Sequence, residues 1–323
     1  MMAIVLPPLM ALAAWTAAGS LLSPARRALQ PHHLDWLTDP ARHGIRVRRF
    51  ACMSGNGNCL LVEPDARAGP ASRGSQLRDA LIAAGVRIRP YGISVGVLVL
   101  LHGRTGRKED LLPIAERFAA AGFRCLIPDL PAHGDHRLQT ARFGSGAEEA
   151  ALAGQVLQEA RALFGLPEGP AGLFGLSMGS AYAIRAASLD RTTWKALVVA
   201  SGFDALDAVL SDALEPRLGR LAPVVLNAVS TAARGRNHTR LADIRPAAWA
   251  QGVETPVMVL HGEGDSVVPV ARGWNLYRAF PGPNKRWISV PQAGHHNLLV
   301  NAAPLYPAMA QWYLRWMDSP AEN

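Results

Sequence analysis

From Ile45 onward the chain alternates short, almost unbroken apolar runs with longer stretches in which apolar positions recur every three or four residues. Val97 to Leu101, Phe123 to Ile127, Ala171 to Phe174, Trp194 to Ala200, Pro256 to Leu260 and Arg286 to Val290 predict strands, several of the kind buried on both faces of a sheet. Between them, Lys108 to Ala121, Ala147 to Phe164 and Ser180 to Leu189 carry helical spacing, the first of these stopping at Gly122. Ile45 to Phe50 and Cys59 to Glu63 read as an antiparallel pair around a Gly/Asn-rich loop, Gln76 to Ala84 as a short helix, and Leu298 to Trp316 as a closing helix. The repeated beat of strand and helix predicts an α/β fold, a mostly parallel central sheet with helices on both faces.

Two stretches depart from that beat. Between Ser201 and Thr255 lie about fifty residues where one crossover helix needs far fewer. Their apolar runs, Leu206 to Leu214 and Leu221 to Ala233, are interrupted by Pro216 and Arg234-Gly235, which predicts an inserted helical cap at about 204–254. Such an insertion is expected to lie over the active site and shape its pocket. The other stretch is Met1 to Pro24, uncharged and mostly apolar, which sets residues 1–43 apart as an apolar segment and linker before a domain spanning 44–323. A signal peptide, a membrane anchor and a helix Leu9 to Leu22 packed on the body all fit it. The missing basic n-region and Pro7-Pro8 weigh against a signal, and Arg26-Arg27 would hold the body on the cytoplasmic side of a membrane. Location therefore stays open between cytoplasm, membrane surface and export.

Composition adds a globular core, at 49% hydrophobic and 18% charged in 323 residues. The net charge of +8 comes mostly from scattered arginines without a basic tract interleaved with aromatics, so no nucleic-acid partner is expected, whereas an anionic substrate or membrane surface is compatible with it. Three cysteines form no metal pattern. Cys52 and Cys59 flank the hairpin loop and would pair as a disulfide in an exported protein or remain thiols in the cytoplasm, while Cys125 belongs to an apolar strand.

The candidate chemistry centres on Gly175-Leu176-Ser177-Met178-Gly179, which lies between a predicted strand and a predicted helix and so reads as a sharp turn carrying a serine at its tip. The pattern also occurs at Gly92-Ile93-Ser94-Val95-Gly96, but there a strand follows, and the strand–turn–helix order fails. A serine hydroxyl needs a base, and the base an orienting acid. In open α/β sheets such groups come from loops at the carboxyl ends of strands, where His261-Gly262-Glu263-Gly264-Asp265 and Ala293-Gly294-His295-His296 are found.

Over about Ile45 to Trp316 the sequence resembles the α/β-hydrolase superfamily, through His102-Gly103 after the third strand, Asp129 to Gly134 after the fourth, the serine turn, Gly264-Asp265 with Val268-Pro269 behind it, and Ala293-Gly294-His295. The resemblance implies an α/β-hydrolase fold with Ser177 as nucleophile, His295 as base and Asp265 as the orienting acid. It also implies an oxyanion hole built from the backbone N–H groups of Arg104 and Met178. His296 is the alternative base, and Glu263 and Asp204 are alternative acids; His102 and His261 are expected to hold loops.

His133-Gly134-Asp135-His136 matches part of a zinc motif, but Pro131 occupies the position of its first histidine, and Gly103 to Lys108 lacks the Gly-Lys-Ser/Thr of a phosphate-binding loop. No metal and no cofactor are expected. The activity expected is cleavage of a small carboxylic ester through an acyl-enzyme; the apolar residues of the proposed cap fit an apolar acyl chain and fit core packing against the body equally well. Thioesterase, peptidase and acyltransferase chemistry on the same three residues are the alternatives, followed by a non-catalytic binding protein on the same fold.

Overall fold

The computed structural model describes residues 6–300 and 305–318. Its strands are β1 (Ile45–Cys52), β2 (Gly57–Pro64), β3 (Gly96–Leu101), β4 (Phe123–Pro128), β5 (Ala171–Leu176), β6 (Trp194–Ala200), β7 (Val257–Gly262) and β8 (Lys285–Val290). They form one eight-stranded sheet in the order β1-β2-β4-β3-β5-β6-β7-β8. The β1–β2 and β2–β4 pairs are antiparallel, and every pairing from β4–β3 to β7–β8 is parallel. The helices are α1 (Leu6–Leu22), α2 (Pro31–Thr38), α3 (Arg73–Ala83), α4 (Leu112–Ala120), α5 (Ala147–Phe164), α6 (Met178–Leu189), α7 (Leu206–Leu218), α8 (Ala222–Asn237), α9 (Pro246–Ala250), α10 (Val270–Ala279) and α11 (Leu305–Met317). This is the α/β-hydrolase fold.

The unbroken apolar runs become strands because the sheet is covered twice. In β3, Val97, Val99 and Leu101 enter the core shared with α5 and α6, while Leu98 and Leu100 enter the core shared with α4 and α11. On that second face Phe118, Phe123, Phe174 and Tyr313 meet edge to face, and the Tyr313 hydroxyl donates to the Leu173 carbonyl at 2.7 Å. Truncating the wholly buried Phe118 to alanine would cost about 3–5 kcal/mol. The neighbouring Gly172 leaves room for this packing, since a Cβ there would stand 2.8 Å from Leu98, 2.9 Å from Met317 and 3.1 Å from Tyr313.

Several predicted boundaries shift. Lys108–Leu111 forms a 3-10 turn rather than the start of α4, because Pro113 has no N–H to extend an α-helical ladder back across it. The helix α7 runs through Pro216 and stops two residues later, before Gly219 at φ 49°; a proline so near the end breaks one of the last bonds without ending the helix. The helix α8 likewise continues through Arg234-Gly235 to Asn237 and ends at the left-handed His238. Leu298 to Val300 form turns, residues 301–304 lie outside the described part, and α11 is helical from Leu305.

At the N-terminus Ala14, Ala18 and Leu22, spaced four apart on α1, are buried in the same cluster as Val229 and Ala233 of α8. Gly235 of α8 lies against the Trp15 ring, with which a Cβ would make ordinary contact at 3.4 Å. On the far edge of the sheet, Cys52 and Cys59 are disulfide-bonded across the β1–β2 hairpin. The hairpin loop turns through Met53 and Ser54 at positive φ, and their N–H groups donate to the Glu159 carboxylate of α5 at 2.5 and 2.9 Å. Cys125 is a free thiol in the core of β4, its pKa pushed up by burial.

Candidate active site

At the end of β5 the chain turns into α6 through Ser177, whose φ of 52° and ψ of −117° lie outside the regions open to ordinary residues. The turn closes only because its flanks are glycine. A Cβ on Gly175 would stand 2.6 Å from the Gly179 carbonyl oxygen, and one on Gly179 only 2.1 Å from that of Leu101. The side chain of Ser177 is thereby presented at the carboxyl end of the parallel strands, where a ligand crevice is expected in an open sheet.

Two further loops at the same end meet it. His295 follows β8, and its Nε2 lies 3.0 Å from Ser177 Oγ. Its Nδ1 lies 2.7 Å from Asp265 Oδ2, supplied by the loop after β7. Asp265 is buried and accepts from the Val267 and Val268 amides at 2.9 and 2.8 Å. Burial works against its charge, but the hydrogen bond from His295 and those two amides outweigh it and hold the carboxyl below the usual aspartate range. The acceptor role of an ionised Asp265 fixes the proton of neutral His295 on Nδ1, leaving Nε2 as an acceptor toward the serine hydroxyl.

The loop after β3 completes the surroundings. Gly103 lies beside the serine turn, where a Cβ would make ordinary contact with that of Ser177 at 3.5 Å, and Arg104 is the next residue. His102 Nε2 accepts from the Leu130 amide at 3.0 Å, and its Nδ1 donates to the Gly103 carbonyl at 2.8 Å. Burial lowers the His102 pKa, keeping the ring neutral as that acceptor role demands. Met178 is the first residue of α6, where backbone N–H groups have no partner within the helix. The Arg104 side chain leaves this loop and donates from Nη2 to the Ser20 carbonyl at 2.8 Å, on the last turn of α1.

The competing residues lie elsewhere. Ser94 precedes β3 at the amino end of the sheet and is followed by that strand, not by a helix. His296 is exposed, with its ring edge-on to His295. Asp204 accepts from Asn275 Nδ2 at 3.0 Å and lies 3.4 Å from Arg272 Nη1, and the exposed Glu263 accepts from Ser289 at 2.9 Å. His261 donates from Nε2 to the Val268 carbonyl at 2.8 Å, bracing the loop that holds Asp265. His133 uses Nδ1 on the Pro131 carbonyl at 2.8 Å, and burial lowers its pKa to about 3. The only group of three candidate metal-ligating side chains among the described residues is His32, His33 and Asp110, and there His33 Nε2 is already engaged by Asp110 at 2.8 Å.

Two supports of the site have roles that the sequence does not announce, although Asp129 stands in the motif after the fourth strand. Asn297 Oδ1 accepts from the Gly294 amide at 2.6 Å and pins the turn that presents His295. Asp129 accepts from the amide and ammonium of Lys108 at 2.8 and 2.6 Å and from the Asp135 amide at 2.9 Å, with Gly134 at φ 49° packed so that a Cβ would overlap the carboxylate. Only the glycine at 134 signalled that closure in advance.

A mostly parallel sheet with a serine on a strained strand-to-helix turn, and an imidazole and a carboxylate brought to it from later strands, defines a hydrolase-type α/β domain. The model of the "Alpha/beta hydrolase family" matches residues 98–308, and the chain belongs to that family. Among solved structures it is similar to an esterase of Pyrococcus furiosus, with 17% identity over 92% of this chain and 98% of that one and a TM-score of 0.63. It is also similar to a Thermus thermophilus protein, with 20% identity over 85% and 99% and a TM-score of 0.55. A third likeness is to the acylaminoacyl peptidase of Pyrococcus horikoshii, with 12% identity over 86% of this chain and 42% of that one and a TM-score of 0.58. At these identities the likenesses establish the fold. No curated protein matches the sequence.

Proposed function

We propose that the protein is a serine hydrolase that cleaves a small carboxylic ester through an acyl-enzyme. The observation that carries this reading is the continuous chain from Ser177 Oγ to His295 Nε2 at 3.0 Å and from His295 Nδ1 to Asp265 Oδ2 at 2.7 Å. In the first half-reaction Ser177 Oγ bonds to the acyl carbon as His295 Nε2 takes the hydroxyl proton. The carbonyl oxygen gains the negative charge and is held by the Arg104 and Met178 amides. The C–O bond to the alcohol then breaks, with the proton on His295 passing to the leaving oxygen. Water repeats the sequence: His295 takes its proton, the oxygen adds to the acyl carbon, and Ser177 leaves with the proton returned. Asp265 stays ionised throughout and stabilises the imidazolium.

The helices α7, α8 and α9, inserted between β6 and β7, are proposed as the cap that selects the acyl group, in keeping with their apolar composition. The same three residues can cleave a thioester or an amide, and one fold neighbour is an acylaminoacyl peptidase. Fluorophosphonate labelling tests the nucleophile. Wild type and Ser94→Ala are expected to label and Ser177→Ala to remain blank; labelling of Ser177→Ala would overturn the assignment. Turnover compared across ester, thioester and amide series of increasing acyl length then identifies the leaving group, and faster amide than ester cleavage would replace the esterase reading with a peptidase one.

A further inference from the structure

The helix α1 contains no charged residue, yet only the side marked by Ala14, Ala18 and Leu22 is buried. Its other side leaves Leu9 at 58%, Leu12 at 63% and Trp15 at 44% exposure. Scattered exposed leucines need no explanation, but three large apolar side chains along one side of a single uncharged helix form a surface that water does not favour.

The charged residues of the two packed segments are basic, with Arg27 among them paired to Asp110 at 3.4 Å. Residues 1–34 carry Arg26 and Arg27, and residues 216–242 carry Arg217, Arg220, Arg234, Arg236 and Arg240; neither stretch contains an aspartate or glutamate. The Arg236 guanidinium lies 4.3 Å over the Trp15 ring and donates from Nε to the Trp15 carbonyl at 2.9 Å, so apolar face and basic rim are physically joined. We propose that this side of α1, with Arg236 at its margin, forms a docking surface for an anionic phospholipid bilayer. An apolar helix with arginines at its margins and tryptophan at its edge has the composition of an element lying in the headgroup region. It lies on the bilayer rather than across it: α1 has 17 residues, and no helix among the described residues is long and apolar enough to cross a membrane. A second copy of the chain is a poorer occupant, because a symmetric contact through this face would set the arginines of both copies against each other.

The last turn of α1 is tied through the Ser20 carbonyl to Arg104 in the loop after β3. Docking itself does not rest on the esterase reading, and full-length Ser177→Ala is expected to bind vesicles as wild type does. The test is co-sedimentation of the full chain with phosphatidylcholine vesicles, with and without phosphatidylglycerol, at low and high salt. Binding is expected with phosphatidylglycerol, weakening as salt rises. The exposed double variant Leu9→Glu/Leu12→Glu should lose more than about tenfold in binding while hydrolysing a soluble short-chain ester at the wild-type rate. Arg236→Gln should lower binding to phosphatidylglycerol and leave that to phosphatidylcholine alone unchanged. Failure of wild type to bind, or wild-type binding by the Leu9→Glu/Leu12→Glu variant, would overturn the proposal. So would a vesicle-free dimer that this variant dissociates, which would assign the face to a second copy.

Discussion

The guanidinium of Arg104 donates to the carbonyl of Ser20 at 2.8 Å, so the residue after His102-Gly103 is moored to the last turn of the N-terminal helix. The same residue is proposed to hold the substrate oxyanion through its backbone amide, and the side chain thus positions a group that it does not itself supply. Arg104→Met keeps the amide and the aliphatic stem. It is expected to lower kcat about tenfold with little change in KM, less than the roughly hundredfold or more that follows outright loss of an oxyanion donor. Arg104→Lys should recover part of the rate. A steady-state kcat and KM comparison on a soluble ester checks this, and an unchanged kcat in Arg104→Met would detach α1 from catalysis.

The Cys52–Cys59 bond closes the β1–β2 hairpin over a separation of 7 residues, at the antiparallel edge of the sheet. Closing so short a loop removes disorder from the unfolded chain worth about 2.5 kcal/mol. Cys52→Ser/Cys59→Ser should therefore lower the stability measured in urea by about that amount, and dithiothreitol should have the same effect on wild type and none on the double variant. Turnover should hold, because the hairpin borders the sheet opposite β8 and its histidine loop.

Glycines in this chain make opposite predictions according to what surrounds them. A Cβ on Gly179 would reach within 2.1 Å of the Leu101 carbonyl oxygen, part of the strand that the serine turn leans on, so the backbone must move. Gly179→Ala should cost about 3 kcal/mol and abolish fluorophosphonate labelling. Gly154, inside α5, has nothing within 4 Å of its added Cβ, and Gly154→Ala should stabilise the protein by about 0.5–1 kcal/mol. Denaturant melts of the two variants, opposite in sign, test the packing of the turn against a control in the same fold.

Much of this architecture is legible in the chain because a parallel strand covered on both faces has to be apolar at every position, as Trp194–Ala200 is nearly throughout; that run was read with the boundaries the structure has. The motif residues were equally readable, since Gly175 and Gly179 answer to a steric demand within a few residues of themselves. The sequence is less legible where the outcome depends on a residue's place within its helix or on a partner distant in the chain. Pro216 and Gly235 are helix breakers by local propensity, yet one lies too near the end of α7 to break it and the other sits where Trp15, more than two hundred residues away, comes against α8. No spacing announces that Arg104 will turn from its own loop to Ser20, or that Glu159 will hold the amides of Met53 and Ser54.

Asp265 links the acid stability of the protein to its proposed chemistry. Its folded pKa is depressed below the ordinary aspartate value of about 3.9, so the folded state releases this proton more readily than the unfolded one. The stability it contributes is therefore fully present above about pH 4 and lost as pH falls through the folded pKa. Asp265→Asn removes that contribution, so the variant should be less stable than wild type at neutral pH, and the gap should narrow as acid protonates Asp265 in the wild type. Activity should respond differently. An asparagine amide can donate to His295 Nδ1, which would put the histidine proton on Nε2 and deprive Ser177 of its acceptor, lowering kcat by about four orders of magnitude with the fold intact. Urea melts across pH, with kcat at neutral pH, separate the two effects. A variant that melts like wild type at every pH would deny Asp265 its depressed pKa, and one that turns over at near the wild-type rate would move the orienting acid to Asp204 or Glu263.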